Sequence, residues 1–115
     1  MAVPEHINLV KMLATRTKEG KLIWDSSPAG ETYFTRIGSN GVSIKAQNGS
    51  SLEVDYFVNI YDGDGLIVEI FSDRELATIG IDNAYTLLDN LYNLARRSAL
   101  GADKILNQIL KDLSI

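Results

Sequence analysis

The side chains that could do chemistry are few, and their spacing narrows them further. Asp62-Gly63-Asp64-Gly65 resembles the opening of a calcium loop. A full loop needs oxygen ligands at regular spacing and a bidentate carboxylate at the twelfth position. Counting from Asp62, the twelfth residue is Asp73, and Leu66, Val68 and Ile70 stand where ligands are required. Aliphatic side chains have no lone pair to give, so the motif reads as a turn. Arg96-Arg97 is an adjacent basic pair flanked by Asp89 and Asp103. On a helix neighbours point about 100° apart, so these two guanidiniums cannot fork one phosphate. A solvated face with weak ion pairs is the plainer reading, and an anion or partner contact the sharper one. Lys11, Arg16, Lys18, Lys21 and Lys45 make the N-terminal third modestly basic. Nucleic-acid grooves interleave such charges with exposed rings, and Trp24 is the only ring nearby.

Covalent catalysis is poorly supplied. Cysteine is absent and the one histidine, His6, lies near the start. A serine nucleophile needs a positioned base, which His6 is badly placed to be. Without cysteine there are no disulfide frameworks, thiol nucleophiles or Cys-based metal sites. No carboxylate pair has a recognisable setting, and the nine glycines are spread through turns rather than gathered in a phosphate loop. The expectation is a non-enzyme with no cofactor and no metal.

The elements that carry these residues come next. At 115 residues the chain suits a single domain, residues 1–115. Its 45% hydrophobic and 23% charged residues match an ordinary soluble protein. The net charge of −4 disfavours general nucleic-acid binding. Residues 1–50 carry six Lys/Arg and four Asp/Glu, net +2; residues 51–115 carry five and eleven, net −6. No basic-then-apolar leader opens the chain, and no apolar run approaches the roughly 20 residues that span a bilayer. Cytoplasmic residence, away from membranes, is the default.

Pro4, an apolar helical period through Ile7, Val10, Leu13 and Ala14, and Gly20 as stop predict a helix over residues 4–19. Residues 21–24 read as a first strand and 32–37 as a second, rich in aromatic and β-branched residues. Asn40-Gly41 is a strong type I′ hairpin signal, leading to a third strand over 42–46. Asn48-Gly49 marks a second turn before a strand over 52–61, and Asp62-Gly63 a third, with positive φ, before a strand over 66–71. Asp82 is the N-cap candidate of a helical stripe through Leu88, Leu91 and Ala95. Beyond Gly101 the stripe resumes at Ile105 and Ile109. Gly101 either ends the helix or sits inside it, and the unbroken seam favours continuity. A straight helix over 82–113 would be roughly 48 Å long, longer than a five-stranded sheet is wide.

Alternation assigns sheet faces. Val42, Ile44, Ala46, Leu52, Val54, Tyr56, Val58, Ile60, Leu66, Val68 and Ile70 form the expected core face. The outer face should then carry Phe57, Tyr61, Ile67 and Phe71, with Phe34 beside them, enough to pool into an apolar contact patch.

Two stretches carry a resemblance. One runs Leu13-Ala14-Thr15, Lys18-Glu19-Gly20-Lys21-Leu22-Ile23-Trp24 and Tyr33-Phe34-Thr35. The other runs from Leu87-Leu88-Asp89-Asn90-Leu91-Tyr92 into Ala95-Arg96-Arg97-Ser98-Ala99-Leu100-Gly101 and on to Leu106. Together they resemble a loosely defined group of small uncharacterised bacterial proteins. The resemblance implies a bacterial or phage origin and transfers no activity, cofactor or site residue.

The sequence thus predicts an α+β fold: an N-terminal helix, a five-stranded antiparallel β-meander, and a long C-terminal helical region packed on one face. The favoured function is a non-enzymatic protein-interaction or regulatory module, a homodimer or the partner of a protein target. The candidate interface is Phe57, Tyr61, Ile67 and Phe71 on the sheet and Ile105, Ile109 and Leu113 on the last helix. A second reading is a small-ligand or nucleotide-binding protein whose cleft, between sheet and C-terminal helix, is lined by Trp24, Tyr33, Tyr56, Tyr92 and Arg96. A third is an acidic inhibitor or immunity-type protein meeting a basic target through Asp62, Asp64, Asp73 and Asp82.

Overall fold

A computed structural model describes residues 2–48 and 53–114. Helix α1 spans Glu5–Lys18 and strands β1 to β5 span Asp25–Ser26, Thr32–Ile37, Asn40–Asn48, Val54–Tyr61 and Ile67–Ser72. Helices α2, α3 and α4 follow at Asp73–Thr78, Ala84–Leu100 and Ala102–Leu113. The strands pair antiparallel in chain order, β1-β2-β3-β4-β5, which is the expected meander in an α+β fold. Among the described residues no helix is long and apolar enough to cross a membrane.

Helices α1 and α3 cover one face of the sheet. Val10, Leu13, Leu88, Leu91 and Ala95 meet Val42, Ile44, Tyr56 and Val58 in one core. Ala46, Val54 and Ile60 pack half-buried against it, and Leu52 lies outside the described residues. Trp24 seals one end: its Nε1 donates to Thr17 Oγ1 at 2.9 Å, and its backbone N–H to Ser98 Oγ at 3.0 Å. This tether to the helices explains the first correction. Residues 21–24 are not a strand, because Trp24 serves the helical layer; pairing starts only at Asp25.

The first hairpin turn is also displaced. Ile37 pairs with Asn40, so Gly38-Ser39 is the loop and Asn40-Gly41 belongs to β3. Only Gly38 has positive φ (62°), the sign pattern of a type II′ turn rather than type I′. In the Asp62 turn the left-handed residue is Gly65 (φ 84°), not Gly63. Asp62 Oδ1 accepts from the amides of Asp64 and Leu66 at 2.9 and 3.0 Å, which is turn chemistry. The Asn48-Gly49 turn lies outside the described residues at Gly49.

Strand β5 departs most from the expected faces. Val58 pairs with Phe71 and Ile60 with Glu69, but Tyr61 pairs with Ile67 across a bulge. The extra residue breaks the alternation. Phe71 and Glu69 take the helix-covered face, Glu69 at its exposed rim, while Ile67 stays on the other. Phe71 is therefore fully buried, stacked on His6 at 4.2 Å, and is no interface residue. Leu66, Val68 and Ile70, expected in the core, are exposed. His6 is itself buried: its Nδ1 accepts from the Val3 amide at 3.1 Å and its Nε2 faces Glu69 Oε2 at 3.0 Å.

Helix α2 was not anticipated; Ser72 caps it, accepting from the Glu75 amide at 3.2 Å. Helix α3 starts after Asn83 (φ 65°) rather than at Asp82. Gly101 ends it with φ 63°, so the C-terminal region is two helices and not one. The second does not fold back onto the sheet either: no residue of α4 is buried.

Candidate functional site

Three regions gather the residues singled out from the sequence. The first is α4. Ile105, Leu106, Ile109, Leu110 and Leu113 fall within about 140° of its circumference at 100° per residue, and the opposite side carries Asp103, Lys104, Asn107, Gln108, Lys111 and Asp112. A stripe of that kind ordinarily faces a core. Here the five aliphatics are 47–76% exposed, and Leu100 at the end of α3 is 46% exposed. Gly101 produces this geometry: its left-handed backbone swings α4 out of the line of α3, and Arg97 reaches across the break to Asp103. Both partners are solvent-exposed, so this ion pair adds little. The C-terminal candidates Ile105, Ile109 and Leu113 thus lie together on one uncovered surface.

The second region is the outer face of the sheet. Tyr61 and Phe57 are half-buried there and Ile67 is half-exposed. Phe34 meets Tyr61 edge-on with centroids 5.6 Å apart, and Tyr61 OH lies 2.9 Å from Ser43 Oγ. Beside β4, the edge strand β5 presents Ile67, Val68 and Ile70, with Leu66 just ahead of it, all exposed. An apolar unpaired edge of this kind is a surface that natural sheets usually blunt or cover.

The third region is the proposed cleft, and here the structure corrects the sequence. Trp24, Tyr33, Tyr56 and Tyr92 are all buried, at 1–8% exposure. Tyr92 packs on Tyr33 and Tyr56 with centroids 5.5 and 5.3 Å apart. The rings are brought together as core, while Arg96 is exposed on α3. Tyr56 donates to Asp89, and Tyr92 to Glu31 Oε2 at 2.7 Å. Burial first, and then those carboxylates, push both phenols well above the usual tyrosine range. They are locked as neutral donors.

Of the acidic candidates, Asp64 and Asp82 are exposed and Asp62 is half-buried. Asp73 is buried, with Oδ1 accepting from the Tyr56 amide at 2.9 Å. It holds α2 to β4 and is closed to a partner.

Sequence reasoning missed one feature of the outer face. Gly41 sits on β3 opposite Tyr61 on one side and Arg36 on the other. A Cβ there would lie 2.7 Å from Cε2 and Cζ of Phe34. The Phe34 ring therefore lies over the glycine, and a hollow opens beside it. A strand glycine on an alternating pattern is the signal that marks such close approach. Among known proteins, no family model matches this chain, and no curated protein or solved structure does either.

Proposed function

We propose that the protein is a non-enzymatic interaction module that works as a homodimer, with α4 as the contact. The observation that carries this reading is the aliphatic stripe of α4, Ile105, Leu106, Ile109, Leu110 and Leu113, none of it buried. Apolar surface left in water on this scale gains by association. A second copy related by a twofold axis covers both stripes with one self-complementary patch. The non-enzymatic part rests on His6, whose two ring nitrogens are already engaged by Val3 and Glu69 and so serve no nucleophile. A cytoplasmic setting belongs to the same reading. Static light scattering at micromolar concentration tests it. The wild type should have the mass of two chains, and Ile105→Asp/Ile109→Asp the mass of one, with its circular dichroism below 220 nm showing a folded sheet. A monomeric wild type refutes the assembly. A folded double variant that stays dimeric moves the contact to the exposed β5 residues.

A further inference from the structure

The outer face of the sheet carries a hollow of about 410 Å³. It opens where β3 places two small residues, Gly41 and Ser43, at successive outward positions, with the Phe34 ring lying over Gly41. The rings of Phe34 and Tyr61 flank that gap, 5.6 Å apart and nearly perpendicular. The 25–28 segment makes one wall. The other is the Asp62 turn, which touches the first hairpin: a Cβ on Gly63 would sit 3.5 Å from the Ser39 carbonyl oxygen.

Charge is distributed unevenly around this hollow. Arg36, Asp25 and Asp62 all line it. Among the described residues, the side chains of Arg36 and Asp25 make no hydrogen bond and no ion pair, although ion pairs form elsewhere on the surface. Asp62 spends Oδ1 on its own turn and keeps Oδ2. The hollow thus offers a guanidinium, carboxylates on two opposite walls and an aromatic lining. A guanidinium holds a carboxylate through two parallel hydrogen bonds, a carboxylate holds an ammonium, and rings hold an apolar or aromatic body. A ligand carrying both charges can pair the guanidinium and a carboxylate at once.

We propose that this hollow binds a small zwitterion of the α-amino-acid type with an apolar or aromatic side chain, its carboxylate on Arg36, its ammonium on the free Oδ2 of Asp62 and its side chain on Phe34 and Tyr61. This site is separate from the α4 contact and does not depend on it. The probe is free L-phenylalanine, titrated into ¹⁵N-labelled protein and followed by amide shifts. Saturable shifts at low-millimolar ligand should centre on residues 34–43 and 61–65. N-acetylphenylalanine, lacking the ammonium, and phenethylamine, lacking the carboxylate, should each bind about tenfold or more weakly, the scale of one lost charge-assisted contact. Arg36→Gln, an exposed substitution, should weaken phenylalanine about tenfold while leaving phenethylamine unchanged. No saturable shift with phenylalanine overturns the proposal. So does equal affinity for the N-acetyl compound or for phenethylamine, or an Arg36→Gln protein that binds phenylalanine as the wild type does.

Discussion

Gly41→Ala should destabilise the protein in the wild-type background and stabilise it once Phe34 has been removed. The new methyl would lie 2.7 Å from two atoms of the Phe34 ring, well inside van der Waals contact. Tyr61 blocks its retreat on one side at 5.6 Å between centroids, so the ring can yield only by turning into the hollow and giving up that contact. Overpacking of this kind costs about 1–3 kcal/mol. The backbone at Gly41 is not left-handed, so alanine suffers no φ penalty there. With Phe34→Ala the space is open, and alanine then restricts only the unfolded chain, a gain of about 0.4–1 kcal/mol. The two effects have opposite sign, which gives a coupling of at least about 1.4 kcal/mol, within the range of contacting pairs. Urea unfolding of the four proteins, followed by Trp24 fluorescence at constant m, measures it. Additivity within about 0.5 kcal/mol would show that the ring does not lie over the glycine, and the aromatic lining of the hollow would have to be redrawn.

Two further outcomes are expected. Gly65→Ala should destabilise by about 1–2 kcal/mol, because its φ of 84° is left-handed and nothing crowds it, so the cost is backbone strain alone. Gly63→Ala should stay within about 0.5 kcal/mol; the reverse order in thermal melts would restore the turn to Asp62-Gly63. At alkaline pH, Tyr56 and Tyr92 should lower stability. Their folded phenols stay protonated above the unfolded value near 10, so above that pH the unfolded state binds fewer protons and stability falls as pH rises. The slope is about 1.4 kcal/mol per pH unit for each tyrosine between pH 10 and 12. Tyr56→Phe and Tyr92→Phe should each flatten that slope, and an unchanged slope in urea titrations at pH 9, 10.5 and 12 would refute the locked phenols.

The fold was legible where a local pattern and a tertiary demand agree. Residues 32–37 are both strand-prone and central, and β2 occupies those positions. Helix α1 lies one residue inside its expected ends, between Pro4 and the left-handed Gly20. The misplaced first turn did no damage to the core for a geometric reason. A loop at Asn40-Gly41 would set Thr35 against Ala46, whereas it faces Val42. That is a slip of four residues, an even number, so every side chain keeps its face. The bulge at Ile60/Tyr61 is a one-residue event, and it split Ile67 from Phe71. Nothing in the local alternation marks it; the demand comes from His6, which stacks on Phe71 from α1. Of the site, the α4 stripe was visible as periodicity, but its exposure depends on the backbone at Gly101. The cleft of Trp24 and the tyrosines is core instead, because the polar tips of Trp24, Tyr56 and Tyr92 do not keep rings out of a core when Thr17, Asp89 and Glu31 satisfy them.

Helix α4 has 12 residues and no buried side chain. Isolated helices of that length are marginal in water, because nucleation is costly and packing usually supplies most of the stability. On the proposed dimer, covering the α4 stripe would both join two molecules and complete the helix, so ordering and association would be one event and part of the contact energy would be spent on ordering. The affinity would then be modest and reversible, and protein concentration would be the quantity that residues 102–113 read out.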